Sequence, residues 1–215
     1  ESLNEALEIM TRDIKCQRCG KCAEVCPVEA ITLDFEGRKI DWEICNLCLE
    51  CARVCPNGAI VISGEYRDAD ELVEELARDK LFFDNSGGGV TISGGEALQQ
   101  WQFVTEVFKG CREKGIHTAL ETTGNAPWEE FESVLNYLDL LLIDVKQIDP
   151  EIHEERTGVS NELILSNIQK AAQKVNLWIR VPVIPGFNDS DLDINRIAEF
   201  AATLPKEKLE KVSLL

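Results

Sequence analysis

A repeated cysteine pattern near the N-terminus constrains this chain more than any other feature. When the sequence is shifted by 29 residues against itself, residues 16–34 align with residues 45–63, and nine of the 19 positions are identical. Each copy reads C-x2-C-x2-C-x3-C-P and continues into a short apolar tail, ITL or IVI. An internal repeat of this kind predicts two similar structural units packed side by side.

The cysteine spacing is typical of cubane iron–sulfur clusters. Three thiolates at intervals of three residues can surround one face of a cluster, and the fourth Cys of each run ligates the other cluster. On this rule one cluster takes Cys16, Cys19, Cys22 and Cys55, and the second takes Cys45, Cys48, Cys51 and Cys26. Paired structural zinc sites are the weaker alternative, because zinc needs four ligands and gives no role to the third Cys or the Cys-Pro. Disulfides are less expected still among eight thiols packed so closely.

The charge balance limits the partners that the chain can have. The 215 residues include 39 Asp and Glu against 22 Lys and Arg, a formal net charge of -17. Such an excess argues against nucleic acid and anionic membranes as main partners, because both would be repelled. No apolar run approaches the roughly 20 residues that a membrane-spanning helix needs. We therefore expect a protein of the cytoplasm with no nucleic-acid or membrane partner.

Beyond residue 65 the sequence alternates between strand-like and helix-like segments. Strands are predicted over residues 90–93, 117–121, 138–145 and 177–183 and from residue 211, and helices over 68–79, 97–114, 128–137, 161–174 and 189–202. Alternation on this scale predicts parallel β/α units with right-handed crossovers. In such folds the functional side chains gather at the carboxyl ends of the strands.

Polar groups do follow the predicted strands. They are Gly94, Gly95 and Glu96 after the first strand, Glu121 and Thr122 after the second, Asp144 and Lys146 after the third, and Arg180 in the fourth. The glycines would let a ligand lie against bare backbone, and the Glu96 carboxylate would suit an ammonium group. For Asp144 and Lys146, which alternation places on one side of their strand, a mutual ion pair is the structural alternative.

These strand-end phrases resemble a known family. The sequences GGE at 94–96, LIDVKQ at 142–147, TGVSN at 157–161 and VPVIPGFND at 181–189 are similar to those of the glycyl-radical-enzyme activating enzymes, in the radical S-adenosylmethionine (SAM) superfamily. The cysteine repeat resembles a bacterial two-cluster ferredoxin. The resemblance implies an α/β fold, with a partial parallel (β/α) barrel of the radical SAM type over residues 1–9 and 65–215. An α+β ferredoxin-like domain would be inserted at residues 10–64.

The resemblance also implies a set of SAM-binding residues. They are Gly94, Gly95, Glu96, Glu121, Thr122, Asp144, Val145, Lys146 and Arg180. The Gly-Gly-Glu turn would receive the methionyl amino group, and the Asp-Val-Lys segment would contact the ribose and carboxylate region. The Glu-Thr pair would lie beside a monovalent cation near that carboxylate, and the Arg would line the site.

The implied activity is that of an oxidoreductase. Such an enzyme cleaves SAM reductively to methionine and a 5′-deoxyadenosyl radical, which abstracts hydrogen from a glycine of a partner glycyl radical enzyme. Electrons would come from an external donor such as a flavodoxin or ferredoxin, through the two clusters. The family's third 4Fe-4S cluster is held by a C-x3-C-x2-C triplet, which these 215 residues lack. We therefore expect an inactive fragment without the first strand, the catalytic cluster and the C-terminal tail.

Two alternatives remain at this stage. The chain could be a ferredoxin-type electron-transfer protein fused to an α/β module, or a radical SAM maturase with another substrate. Outside the cysteine runs, Cys111, His117 and His153 show no ligand spacing and are expected to be structural.

Overall fold

A computed structural model describes residues 7–215. The chain divides into two compact units, one that ends at Tyr66 and one that runs from Arg67 to Leu215. We call them the cysteine unit and the sheet unit. Of the segment 1–9 that the sequence assigned to the barrel, residues 1–6 lie outside the described residues.

The cysteine unit contains two small antiparallel sheets and two short helices. Its elements are β1 (Glu8–Thr11), α1 (Lys21–Glu24), β2 (Ile31–Leu33), β3 (Arg38–Ile40), α2 (Glu50–Arg53) and β4 (Ile60–Ser63). Strand β1 pairs with β4, and β2 pairs with β3. Because Glu8 and Ile9 pair with Ser63 and Ile62, this unit begins before residue 10, where the sequence placed its boundary.

The internal repeat is retained in the backbone. Left-handed residues occur at three equivalent pairs of positions, Arg18 and Leu47, Gly20 and Leu49, and Glu29 and Gly58. Four of these six residues are not glycine, and a left-handed conformation costs such residues about 1–2 kcal/mol each. Strain of this kind persists only where the surrounding structure fixes it, and it clusters at functional sites. The two cysteine loops thus share a shape that their side chains do not favour.

The sheet unit confirms the expected α/β class. Five strands form a parallel sheet in sequence order, β5 (Gly89–Ile92), β6 (His117–Thr122), β7 (Leu140–Asp144), β8 (Asn176–Val181) and β9 (Leu209–Leu214). The helices of this unit are α3 (Ala69–Leu76), α4 (Lys80–Ser86), α5 (Trp101–Glu113), α6 (Trp128–Leu135), α7 (Pro150–Thr157), α8 (Glu162–Ala171) and α9 (Asp191–Ala202). Within residues 7–215 no helix has the length and apolar content needed to cross a bilayer.

Helix α4 is one element of the sheet unit that the sequence did not predict. None of its side chains is fully buried, so no apolar periodicity marks it. The starts of two predicted helices also shift, because Asp68 and Ser190 act as N-caps whose side chains accept hydrogen bonds from the first-turn backbone. A cap residue lies outside the helix that it begins.

One face of the sheet is apolar and packs against helices. Along β8 the side chains of Leu177, Ile179 and Val181 are fully buried, and they share one core with Phe108 of α5 and Phe131 of α6. Because successive strand residues point to opposite faces, the residues between them face the other way. The sheet thereby presents its polar strand-end residues on the face that the helices leave open.

Candidate functional site

Four of the eight clustered thiols converge on one small cavity. Cys16, Cys19, Cys22 and Cys55 line a space of about 20 Å³ together with Arg38. Three of these thiols come from the first repeat and one from the second, which is the crossed set that the spacing assigns to one cluster. Soft thiolate ligands in this number suit an iron–sulfur cluster.

Of the other four thiols, Cys45, Cys48 and Cys51 lie near one another. Burial raises the pKa of the Cys51 thiol, and the neighbouring Cys48 and Cys45 act in the same direction. Cys26 and Cys45 pack against the same small apolar core as Cys51. Over residues 7–215, no three His, Cys, Asp or Glu side chains are grouped closely enough to hold a single metal ion. The four thiolates of a 4Fe-4S cluster each bind a different iron, so they do not need to converge on one point.

The fourth Cys of each run already accepts a backbone hydrogen bond. The amide of Ala30 donates to Cys26 Sγ, and the amide of Ala59 donates to Cys55 Sγ, each over 3.2 Å. The two bonds occupy equivalent positions of the repeat. Hydrogen bonds to cluster sulfurs are one means by which a protein sets a cluster's reduction potential, so the donors present fit an iron–sulfur ligand set.

In the sheet unit, the Gly-Gly-Glu turn is tied to the next strand end. Gly94 has a φ of +123°, and the Glu96 that follows the turn directs its carboxylate toward β6. That carboxylate accepts hydrogen bonds from Thr122 Oγ1 at 2.5 Å, Thr123 N at 2.9 Å, Thr123 Oγ1 at 2.5 Å and Leu98 N at 3.1 Å. A carboxylate has about four acceptor positions. Four donors of the chain itself therefore contact the Glu96 carboxylate, and its binding of an ammonium group stays a prediction.

Alternating charges join the ends of β6, β7 and β8. Arg180 Nη1 lies 2.5 Å from Glu121 Oε1, and Arg180 Nε lies 3.4 Å from Asp144 Oδ1. Asp144 Oδ2 lies 2.8 Å from Lys146 Nζ, so the ion pair considered from the sequence is present. The parallel register places Asp144 directly opposite Arg180. Within the described residues, Asp144 Oδ1 and Arg180 Nε are buried without a hydrogen-bond partner.

A candidate ligand site adjoins these strand ends. A cavity of about 340 Å³ is lined by Gly95, Glu96, Asp144 and Lys146, among other residues. This volume lies within the range of small-molecule sites. Gly94 lines a neighbouring cavity of about 210 Å³.

Not every predicted residue reaches the cavity. The remaining members of the predicted set, Glu121, Thr122, Val145 and Arg180, are not among its lining residues. Thr122 is buried and donates to Glu96, and Val145 packs into the core and offers only its backbone. Arg180 does not line the cavity, but its guanidinium contacts Asp144, which does.

Two buried side-chain amides, which were not predicted as site residues, hold the strand-end loops together. Asn188 Nδ2 donates to Lys146 O at 2.6 Å and to Pro182 O at 2.8 Å, which joins the exits of β7 and β8. Asn167 Nδ2 donates to the carbonyls of Gly124 and Ala126 after β6. Both Asn residues are fully buried. A buried backbone carbonyl must find a donor, and the sequence marks Asn167 for such a role only by the apolar residues around it.

His153 also lines the cavity, although it was expected to be only structural. Its ring Nδ1 lies 2.7 Å from the carbonyl oxygen of Val159 and 3.0 Å from Thr157 Oγ1. Because a carbonyl can only accept, Nδ1 carries a proton. The imidazole thereby fixes the loop after α7 at the edge of the cavity.

Comparisons with known proteins agree with this arrangement. The family description "Radical SAM superfamily" matches residues 43–197, and "4Fe-4S dicluster domain" matches residues 15–59. The chain belongs to the radical SAM superfamily. It therefore joins a family that uses iron–sulfur clusters and SAM.

Curated relatives place this radical SAM chain more narrowly. It is 41% identical over 208 residues to the (2S)-3-sulfopropanediol dehydratase activating enzyme of Klebsiella oxytoca, covering 95% of this chain and 66% of the relative. It is 39% identical over 227 residues to the 4-hydroxyphenylacetate decarboxylase activating enzyme of Clostridium scatologenes, covering 100% and 70%. Within the superfamily it belongs to the glycyl-radical-enzyme activating enzymes. The chain spans about two thirds of the length of these curated relatives.

Solved structures support the radical SAM fold. A domain of the pyruvate-formate lyase-activating enzyme from Bacteroides vulgatus is 41% identical, with a TM-score of 0.54 over 59% of this chain and 79% of that one. Streptococcus suis SuiB bound to its precursor peptide SuiA is 17% identical, with a TM-score of 0.56 over 71% of this chain and 33% of that one. The second likeness concerns the fold alone.

Proposed function

We propose that this chain carries the SAM-binding sheet and the two-cluster part of a glycyl-radical-enzyme activating enzyme. The whole protein would cleave SAM reductively to methionine and a 5′-deoxyadenosyl radical, which takes a hydrogen atom from a glycine of a partner enzyme. The observation that carries the proposal is the cavity at the carboxyl edge of the sheet, where glycine backbone, a carboxylate and an ammonium group come together. Bound SAM and a third 4Fe-4S cluster would supply the radical chemistry, as cofactors do in such enzymes.

The chain's own residues would bind and orient SAM. Lys146 Nζ would donate to the carboxylate of the methionyl group, and Asp144 would accept a hydrogen bond from a ribose hydroxyl. Arg180 would hold the Asp144 carboxylate in place from the neighbouring strand. Gly95 lets the ligand approach the backbone, since it has no side chain. Glu96 would share its carboxylate between the methionyl ammonium group and the two Thr residues that it already contacts.

The eight thiols of the cysteine unit would hold two 4Fe-4S clusters. The crossed arrangement supports this assignment, since Cys55 lies with the thiols of the first run. With all four thiolates of each cluster in place, no iron is open to a substrate, so these clusters would transfer electrons. An external donor such as a flavodoxin or ferredoxin would supply them. Neither nucleic acid nor an anionic membrane would be a partner, because the net charge of -17 would repel both.

A binding experiment tests the SAM site. The chain, loaded with iron and sulfide without oxygen, is equilibrated with labelled SAM, and Lys146→Ala is compared with the unchanged chain. Loss of a charge-assisted contact should weaken binding about tenfold or more. Lys174→Ala is the matched control, because Lys174 forms an ion pair of similar length with Glu132, 2.7 Å against 2.8 Å, away from the cavity. Equal losses in both variants would contradict the site.

A second measurement tests the division between electron transfer and catalysis. Two clusters predict about eight irons per loaded chain. Because the sequence holds no C-x3-C-x2-C triplet, this chain should release no 5′-deoxyadenosine from SAM under reducing conditions. A longer version that includes such a triplet should release it and activate its partner. Formation of 5′-deoxyadenosine by the present chain would overturn the assignment of its cysteines.

A further inference from the structure

One cation of the cysteine unit is buried beside the thiols. The Arg38 side chain is only 2% exposed and lines the cavity formed with Cys16, Cys19, Cys22 and Cys55. Its Nη2 lies 2.5 Å from Asp13 Oδ1, and the Asp13 side chain is 77% exposed. The counter-charge is therefore largely solvated, while the guanidinium itself is enclosed next to the sulfurs.

The second copy of the repeat has no buried cation of its own. Arg38 lies on β3, between the two copies, and the 29-residue shift carries it to Arg67, which lies outside the cysteine unit, is exposed and is paired with Glu75. Within residues 45–63 the single Lys or Arg is Arg53. Its side chain is 56% exposed and is paired with Glu50. The two halves thus share backbone shape and thiol spacing but differ in the charge enclosed beside them.

That difference has a redox consequence. Reduction adds one negative charge to a cluster, and a nearby positive charge favours the reduced form. Water and salt weaken this attraction for an exposed cation much more than for a buried one. Arg38 should therefore act strongly on the cluster whose cavity it lines, and weakly on the other.

We propose that Arg38 raises the reduction potential of the cluster held by Cys16, Cys19, Cys22 and Cys55 above that of the second cluster. A single electron from a one-electron reductant then resides on the first cluster. The inference rests on the two-cluster site proposed above and is independent of the SAM chemistry.

A redox titration of the loaded chain tests this proposal. Dithionite with viologen mediators sets the potential, and electron paramagnetic resonance follows each cluster. In Arg38→Gln, at a fixed potential near the midpoint, the ratio of reduced to oxidised first cluster should fall about tenfold, equivalent to about 59 mV for a one-electron couple. The second cluster should move much less. A Cys45→Ala and Cys48→Ala double variant, which removes the second cluster, identifies the signal that shifts.

Three further variants separate a local charge effect from a structural one. Lys39→Gln makes the same change in net charge at a neighbouring side chain that is 58% exposed, and it should move neither cluster appreciably. Arg38→Lys should restore most of the potential. Asp13→Asn leaves the guanidinium in place and removes a counter-charge that is 77% exposed, so it should shift the first cluster much less than Arg38→Gln does.

Each other outcome counts against the proposal. Equal shifts of both clusters in Arg38→Gln, or an unmoved first cluster at full iron content, would overturn it while leaving the cluster site intact. If Arg38→Gln loses its iron, Arg38→Met is the second neutral variant, and an unmoved first cluster at its full iron content would do the same. Failure of the unchanged chain to take up about eight irons would overturn the cluster site and this inference together.

Discussion

The two units of the molecule are stabilised in different ways. Among the described residues, the buried core of the cysteine unit consists of six side chains, two of which are Cys22 and Cys51. The main core of the sheet unit contains 24 buried side chains contributed by strands and helices. A core as small as the first rarely stabilises a fold without metals or disulfides. The cysteine unit should therefore depend on its clusters, and the sheet unit on packing.

The two units also differ in the strain of their backbones. Over residues 7–215, every left-handed residue other than glycine lies in the cysteine unit, at Arg18, Glu29, Leu47 and Leu49. In the sheet unit all left-handed positions of the described chain are glycines, which adopt this conformation without steric cost. The loops of the sheet unit therefore carry little backbone strain. The strained loops of the cysteine unit need a further stabilising interaction.

Removal of iron should produce the largest difference in stability between the two units. When a chelator removes the clusters, the cysteine unit should lose its resistance to proteolysis. The reason is that metal binding supplies folding free energy on the order of 10 kcal/mol in small metal domains. Limited proteolysis with mass spectrometry should then find cuts within residues 15–59 and a persistent fragment from Arg67 onward. Equal resistance of both units without iron would break the comparison.

An intermediate effect is expected from Gly124 in the sheet unit. A Cβ at this position would lie 2.7 Å from Ile143 Cδ1, and φ is +74°. Gly124→Ala should therefore lower the free energy of unfolding by about 2–4 kcal/mol, and it should disturb the turn that carries Thr123. Gly158 is the control, because its φ is +82° but a Cβ would meet nothing within 4 Å. Gly158→Ala should cost only about 1–2 kcal/mol, and equal losses by urea denaturation would contradict the packing argument.

The smallest predicted effect concerns pH and again the sheet unit. The hydrogen bond from the Ser190 hydroxyl, and then that from Gln147, hold the pKa of Asp193 below its ordinary value of 3.8. A lowered folded-state pKa stabilises the fold above the unfolded-state pKa, and this contribution is lost as pH falls through the lowered value. Asp193→Asn should thus cost under about 1 kcal/mol near neutral pH and progressively less below about pH 4. A cost that grows in acid would reverse the sign and contradict the assignment.

Much of the fold and part of the site could be predicted from the sequence. The five strands were each anticipated to within three residues, because strand-like segments alternate with amphipathic helical segments along this part of the chain. The placement of Gly95, Asp144 and Lys146 around one cavity agrees with the sequence expectation. The state of Glu96 could not be predicted, because its donors, Thr122 and Thr123, lie 26 and 27 residues away along the chain.

By itself the sequence determined the cysteine spacing, the internal repeat and the alternation of strands and helices, because each follows from local periodicity or from self-similarity of the chain. Only the tertiary structure decided which charges meet. It placed Arg180 between Glu121 and Asp144 through the register of three strands, and it enclosed Arg38 beside one set of thiols and not the other. The physical reason is that charge interactions depend on distance and burial, which are set when distant segments pack together.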